Sequence, residues 1–124
     1  MSTHRIPQPG TNLSILVGVL SRDADLRPLP SGVSILGLEL SVRGDGRPAE
    51  SVPVAWPDAP PTAVGWRAGE EVLVIGRIRR RFFRAGGSTQ SRTEVVATVV
   101  VPTRRSASAA KVWGAALDSV PLRL

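Results

Sequence analysis

The stretch EEVLVIGRIRRRFFR, residues 70–84, decides the fold class that we predict for this chain. Its first half is apolar and rich in β-branched residues, and its second half mixes arginines with two phenylalanines. Such a run predicts a β-strand, along which successive side chains point to opposite faces of a sheet. If the strand stays regular, one face carries three guanidinium groups and a ring: Arg77, Arg79, Arg81 and Phe83.

Four further runs with strand character surround this stretch. They are apolar, or they alternate between apolar and polar residues, and they cover residues 12–20, 33–43, 50–56 and 92–101. Within these runs, Gly18 suggests a bulge or a close backbone approach, and Pro53 suggests an edge or a bulge. The polar segment 21–32 is expected to be a loop or a connection between two strands, and 85–91 is expected to be a loop.

One candidate helix lies between the third and fourth strands, at residues 57–69, where Asp58 could cap its first turn. Five strands with one short helix in that position give the order of an all-β, five-stranded Greek-key barrel, the OB-fold. We therefore assign residues 12–102 to an OB-fold domain. A flexible N-terminal tail (1–11) precedes it, and a C-terminal tail (103–124) follows it.

The composition limits the kinds of catalytic and metal site that the chain can form. The chain has 124 residues, no cysteine and a single histidine, His4, in the polar N-terminal tail. Nucleophilic triads and the common zinc sites are therefore excluded, and neither catalysis nor a cofactor or metal is expected. The longest apolar run is far shorter than the roughly 20 residues of a membrane helix, and the first residues lack the apolar core of a signal peptide. A cytoplasmic, nucleoid-associated protein without membrane contact is expected.

The charge points to a polyanionic partner. The net charge is +6, and of the 16 lysine and arginine residues only Lys111 is lysine. Such an excess is most simply explained by nucleic acid as a partner. Part of the arginine excess can reflect G+C-rich coding, and a basic surface without such a partner is the alternative reading of the composition.

The basic and aromatic face of the fourth strand has the chemistry of a single-stranded nucleic-acid site. Guanidinium groups bind phosphates in bidentate pairs, and a ring offers a base a stacking surface worth about 1–3 kcal/mol. The alternative is that the arginines are solvated and that Phe82 and Phe83 belong partly to the core. Because neighbouring strand residues point in opposite directions, one of these two rings is expected to be buried or packed on an interface.

The chain resembles bacterial single-stranded DNA-binding proteins. In that family's first block, an Asn begins an apolar run into Gly, followed by Leu, Asp, Arg, a small residue and Gly. Residues 12–32, NLSILVGVLSRDADLRPLPSG, match this block at Asn12, Leu16, Gly18, Leu20, Asp23, Arg27, Ser31 and Gly32. AGEEVLVIGRIRRRFF (68–83) and SRTEVVATVVV (91–101) resemble the family's last two strands. The similarity therefore spans residues 12–101.

This resemblance implies an OB-fold that binds single-stranded DNA without sequence preference during replication, repair or recombination. It also implies a homo-oligomer, either a dimer or, most often in the family, a tetramer. Phe83 matches the family's stacking tryptophan, and Arg22 and Arg27 lie in the first connection, from which they can reach the strand. The predicted nucleic-acid-binding residues are Arg22, Arg27, Arg77, Arg79, Arg81, Phe83 and Arg84. RNA is compatible with the same chemistry.

The chain departs from the family at two stacking positions and at its end. Ser51 stands where the family usually has a tryptophan, and Pro57 stands where an aromatic residue is common. Fewer stacking platforms, at about 1–3 kcal/mol each, predict weaker binding that depends more on arginines and hence on salt. The last residues, DSVPLRL, contain Asp118 but not the acidic run with which the family recruits partner enzymes.

Two functions fit these residues. One is coating of single-stranded DNA, and the other is an OB-fold protein–protein assembly module that has lost most nucleic-acid binding. Trp56 is expected in the core or at an interface, and Trp66 is expected in the core. A short helix is expected around residues 107–118, and its Trp113 is expected either to pack on a partner subunit or to dock on another protein.

Overall fold

The computed structural model describes residues 4–123, so that residues 1–3 and 124 of the predicted tails lie outside the described residues. The prediction of a β-rich fold is confirmed, because strands dominate the described residues. The elements are β1 (Ser14–Leu20), β2 (Asp25–Pro28), β3 (Ser34–Val42), β4 (Glu50–Pro57), β5 (Glu71–Ala85), β6 (Ser88–Pro102) and α1 (Ser106–Asp118). None of the helices formed by residues 4–123 has the length and hydrophobicity needed to span a membrane.

Hydrogen bonds join the strands into a barrel-like ring. The strand order is β1-β5-β6-β4-β3-β2, and β1 closes the ring by pairing with β3 at Val19 and Leu20. Gly18 permits this closure, because a Cβ atom there would lie 2.7 Å from the carbonyl oxygen of Ser41. The close backbone approach predicted at Gly18 is therefore confirmed. Neighbouring strands are antiparallel except for β4 and β6, which are parallel.

The interior of the ring holds the main hydrophobic core. Alternating leucines and valines from β3, β5 and β6 fill it together with Trp56 of β4. The Trp56 ring is buried and lies against Trp66, with ring centroids 5.7 Å apart. The core position predicted for Trp56 is thus confirmed, and Trp66 is partly buried where it packs against this core.

Helix α1 covers part of the outer surface of the ring. Leu73 and Ile75 of β5 point away from the main core and form a second buried cluster with Ala116 of the helix. After the helix, the chain returns to its own beginning, because the N–H group of Arg123 donates to the carbonyl oxygen of Ile6 at 2.8 Å. The helix therefore occupies one side of the barrel and leaves the outer faces of β3 and β4 uncovered.

Two segments predicted as connections or loops contain strand residues. β2 lies within 21–32 and pairs with the same edge of β3 that β1 reaches. All four of its residues are exposed, so no apolar alternation marks it. The loop predicted at 85–91 is wrong, because β5 and β6 are joined by a turn of only Gly86 and Gly87, whose φ angles of 58° and 82° suit a tight hairpin.

The predicted helix between the third and fourth strands is also shorter than expected. Within residues 57–69 the structure forms only a 3-10 turn at Pro61–Ala63. Gly65 lowers the helix propensity within this segment, and Gly69, with a φ of 98°, ends it, so the segment does not extend into a longer α-helix.

The strands β5 and β6 extend beyond the ring as a two-stranded ribbon, which we call the hairpin arm (residues 78–93). β1 pairs with β5 only as far as Gly76, and β4 pairs with β6 only at Val95 and Val96. At the base of the arm, the side-chain amide of Asn12 donates to the carbonyl oxygen of Ile78 at 2.8 Å and accepts from its N–H group at 2.9 Å. Asn12 thus anchors the arm next to the start of β1.

Candidate nucleic-acid interface

A groove of about 220 Å³ lies on the outer face of the barrel between β2 and the hairpin arm. Its floor comes from β3 and β4, where Gly37 and Ala55 stand directly opposite each other. Because both residues have small side chains or none, the surface of the sheet is recessed at this position. The walls are basic, and their arginines are Arg22, Arg27, Arg79, Arg81 and Arg92.

The register of the hairpin arm places the β5 arginines at this groove. Arg79 stands opposite Glu94, and Arg81 stands opposite Arg92, in a ladder that is regular from Gly76 to Ala85. Residues paired across an antiparallel ladder share a face, and so do alternate residues along a strand. Arg77, Arg79, Arg81 and Phe83 therefore lie on one face of β5.

A buried carboxylate holds two of these arginines. The Glu94 side chain is only 5% exposed, pairs with Arg79, and lies 3.6 Å from Nη2 of Arg81. A buried charge needs such partners, because desolvation without them is costly. The two guanidinium groups are therefore held over the groove, but part of their positive charge is already balanced.

A second carboxylate pairs with arginines from both sides of the groove. Oε2 of Glu39 lies 3.7 Å from Arg22 and 3.9 Å from Arg92, while Oε1 accepts a 2.7 Å hydrogen bond from the Ser51 hydroxyl. Ser51 occupies the position where the family resemblance would place a stacking ring. In this chain that position supports a carboxylate instead.

The remaining wall arginine comes from β2. The guanidinium of Arg27 pairs with the Asp25 carboxylate at 3.0 Å, and both side chains are more than half exposed. An exposed pair of this kind is weak and is readily exchanged for another anion. Arg27 is therefore the groove arginine whose partner a phosphate would displace at least cost.

Aromatic character is concentrated on the arm. No aromatic residue is among those that line the groove in the described chain. Phe83 lies just beyond them on the same face, is 37% exposed, and has the Arg81 guanidinium 5.7 Å from its ring centroid. Any aromatic stacking surface at this groove would therefore come from Phe83.

The structure separates two predicted site residues from the groove. Arg77 shares the face of Arg79 but stands opposite Val96, nearer the barrel, and is not one of the lining residues. Arg84 stands opposite Thr89 on the other face of the arm, where its guanidinium donates to the carbonyl oxygen of Gly87 at 3.1 Å.

The expectation that one phenylalanine is buried does not hold within the chain. Phe82 is 63% exposed and Phe83 is 37% exposed. Both lie on the hairpin arm, which projects past the core, so neither face of the strand has a core to pack against. Two rings are therefore available at the surface.

Sequence reasoning missed Arg92, Glu94 and Glu39. The period of two that organised β5 also places Arg92 and Glu94 on one face of β6, but only the register of the hairpin shows that this face is the groove. Glu39 lies on the polar side of the alternating run in β3. Its role depends on arginines that are distant in sequence and is not visible in the run itself.

Comparison of the sequence with known proteins assigns no relatives: no protein-family model matches the chain, and no curated protein matches it.

Proposed function

We propose that this chain is an OB-fold protein that binds single-stranded DNA in the groove between β2 and the hairpin arm. The ring order β1-β3-β4-β6-β5 supports the fold assignment, because all neighbouring strands in it are antiparallel except β4 and β6. OB-folds bind oligonucleotides on the face of their second and third strands, flanked by the first connection and the last hairpin. The groove has this location.

The observation that carries the proposal is the convergence of arginines from separate parts of the chain on one groove. Arg22 and Arg27 come from the segment after β1, Arg79 and Arg81 from β5, and Arg92 from β6. Each can pair with a phosphate, and because phosphate contacts carry no direct sequence information, binding through them is independent of sequence. Phe83 stacks on one base at the end of the groove.

The ion pairs set the strength of this binding. Glu39, Glu94 and Asp25 already balance the wall arginines, so a phosphate gains less than it would from free guanidinium groups. With one ring available for stacking on this face, phosphate contacts dominate, and binding is weak and steeply salt-dependent. Homo-oligomerisation, as a dimer or tetramer, multiplies such weak sites during replication, repair or recombination.

The second candidate is an assembly module that binds another protein. The apolar floor of the groove and the balanced charge of its walls favour it. Trp113 of α1 is 46% exposed and offers a further contact for a protein partner. An RNA ligand is the third outcome that the experiment below separates.

Fluorescence anisotropy with labelled oligo-dT across a salt series tests the proposal. The variant Arg22→Ala/Arg92→Ala removes two wall arginines that share the partly exposed Glu39, and we expect about tenfold or greater loss of affinity with a salt slope reduced by about 1.4. The control Arg105→Ala removes an exposed charge beside α1 and is expected to bind like the unmodified chain.

Three results would contradict the proposal: no binding of oligo-dT at low salt, equal affinity of the groove variant and its control, or equal competition by duplex DNA. Competition by oligo-rU at lower concentration than oligo-dT would assign the groove to RNA. Light scattering on the same samples gives the oligomeric state.

A further inference from the structure

The hairpin arm has a second face that the groove does not use. It carries alternate residues of β5, Arg80, Phe82 and Arg84, opposite Thr93, Ser91 and Thr89 of β6. These residues lie beyond the point where β1 and β4 stop pairing with the hairpin, so no other strand covers them. We call this surface the back face of the arm.

The arginines of the back face have no acidic partner. Arg80 donates to the Ser91 hydroxyl at 3.2 Å and Arg84 to the Gly87 carbonyl oxygen, and within residues 4–123 neither forms a salt bridge. Their cross-strand neighbours are hydroxyl residues without charge. On the groove face, by contrast, Arg79 and Arg81 share Glu94. A phosphate therefore displaces no carboxylate on the back face.

The back face also repeats the pairing of a guanidinium with a ring. Cζ of Arg80 lies 5.2 Å from the ring centroid of Phe82, compared with 5.7 Å between Arg81 and Phe83 on the groove face. Phe82 is the more exposed of the two rings, at 63%. A ring held beside a guanidinium can stack a base while the cation pairs with the adjacent phosphate.

We propose that the back face, formed by Arg80, Phe82 and Arg84, is a second contact surface for single-stranded DNA. A strand that leaves the groove past Phe83 passes around the arm and stacks on Phe82. This inference rests on the proposed function, because it assigns a further segment of the same ligand. Uncompensated positive charge favours a polyanion over a second copy of this chain, whose own net charge is positive.

The test compares Arg80→Thr/Phe82→Thr with the matched groove-face variant Arg81→Thr/Phe83→Thr and the charge control Arg105→Thr. Threonine suits an exposed strand, and the arm contributes nothing to the core. The probe is labelled oligo-dT of about 30 nucleotides, longer than the about 4–16 that one OB-fold covers. Anisotropy gives affinity and salt slope, and light scattering gives the mass.

We expect the back-face variant to bind oligo-dT about tenfold more weakly, which is in the range for the loss of one stacked base. Its salt slope should fall by about 0.7, and the mass of the protein in light scattering should not change. If the back-face variant binds as tightly as the Arg105→Thr control, the inference is overturned. If the groove-face variant still loses affinity in that case, the proposed function stands. A loss accompanied by a lower mass would assign the face to a contact between copies and would also overturn it. Failure of the unmodified chain to bind would overturn both proposals.

Discussion

At the scale of single residues, Glu94 controls how much of the positive charge reaches the groove. It lies on β6 between the hairpin arm and the barrel, is almost fully buried, and is shared by Arg79 and Arg81. Buried charges without partners are costly, so this carboxylate stabilises the position of two cations while lowering their availability. We therefore expect its removal to have opposite effects on stability and on the proposed binding of single-stranded DNA.

The variant Glu94→Gln tests this role. We expect oligo-dT affinity at low salt to rise about tenfold, with a slope steeper by about 0.7, because one more phosphate contact becomes available. The free energy of unfolding should fall by about 1–3 kcal/mol, since a charge-assisted hydrogen bond is lost in a buried site. Anisotropy and urea unfolding measure the two effects.

The control for this variant is Glu50→Gln, which makes the same charge change at an exposed residue at the start of β4. It should alter neither quantity appreciably. If Glu94→Gln and Glu50→Gln bind oligo-dT equally well, Glu94 does not restrain the groove arginines.

At the scale of elements, the closure of the ring between β1 and β3 is a narrow junction of the fold. Only Val19 and Leu20 pair with β3 there. Gly18 precedes them, and its missing side chain lets the Ser41 carbonyl approach. The groove depends on this junction because Arg22 and Arg27 lie in the segment that follows β1.

The variant Gly18→Ala should destabilise the chain by about 1–3 kcal/mol, because the new methyl group can be accommodated only by moving backbone. Gly44→Ala is the matched control, since nothing lies within 4 Å of its added Cβ. Urea unfolding followed by circular dichroism measures both. Equal stability of the two variants would show that β1 and β3 are not in close contact.

The sequence predicted the elements that carry their own pattern and missed those that depend on a partner. The apolar runs of β3 and β5 were visible because one face of β3 and both faces of the first half of β5 are buried. β2 and the segment Ser88–Ser91 are exposed strands that exist only because β3 and β5 hydrogen-bond to them. No periodicity of burial marks such a strand.

The candidate site was predictable to the same extent. Alternation along β5 placed Arg79, Arg81 and Phe83 on one face, which required only a regular strand. Which β6 residue stands opposite each of them depends on the length of the turn, and a loop was predicted where the chain has Gly86 and Gly87. Because of this error, the sequence analysis did not place Arg92 and Glu94 at the groove and did not predict that Glu94 balances part of its positive charge.

At the scale of the whole molecule, the groove exists only when the ring is closed. Its arginines come from positions as far apart as Arg22 and Arg92, and its floor comes from strands between them. Helix α1 lies on a different part of the barrel, so it can cover the outer faces of β5 and β1 without blocking the groove. The helix therefore covers one part of the barrel surface and leaves the groove exposed.

The most direct test of the central proposal is a titration of the isotope-labelled chain with oligo-dT, followed by two-dimensional NMR of its backbone amides. We predict that the largest shifts fall on residues 22–28, 37–39, 53–55 and 79–94, around the groove and the arm. Shifts confined to α1, or no shifts at a low-salt excess of oligo-dT, would contradict the assignment of this groove to single-stranded DNA.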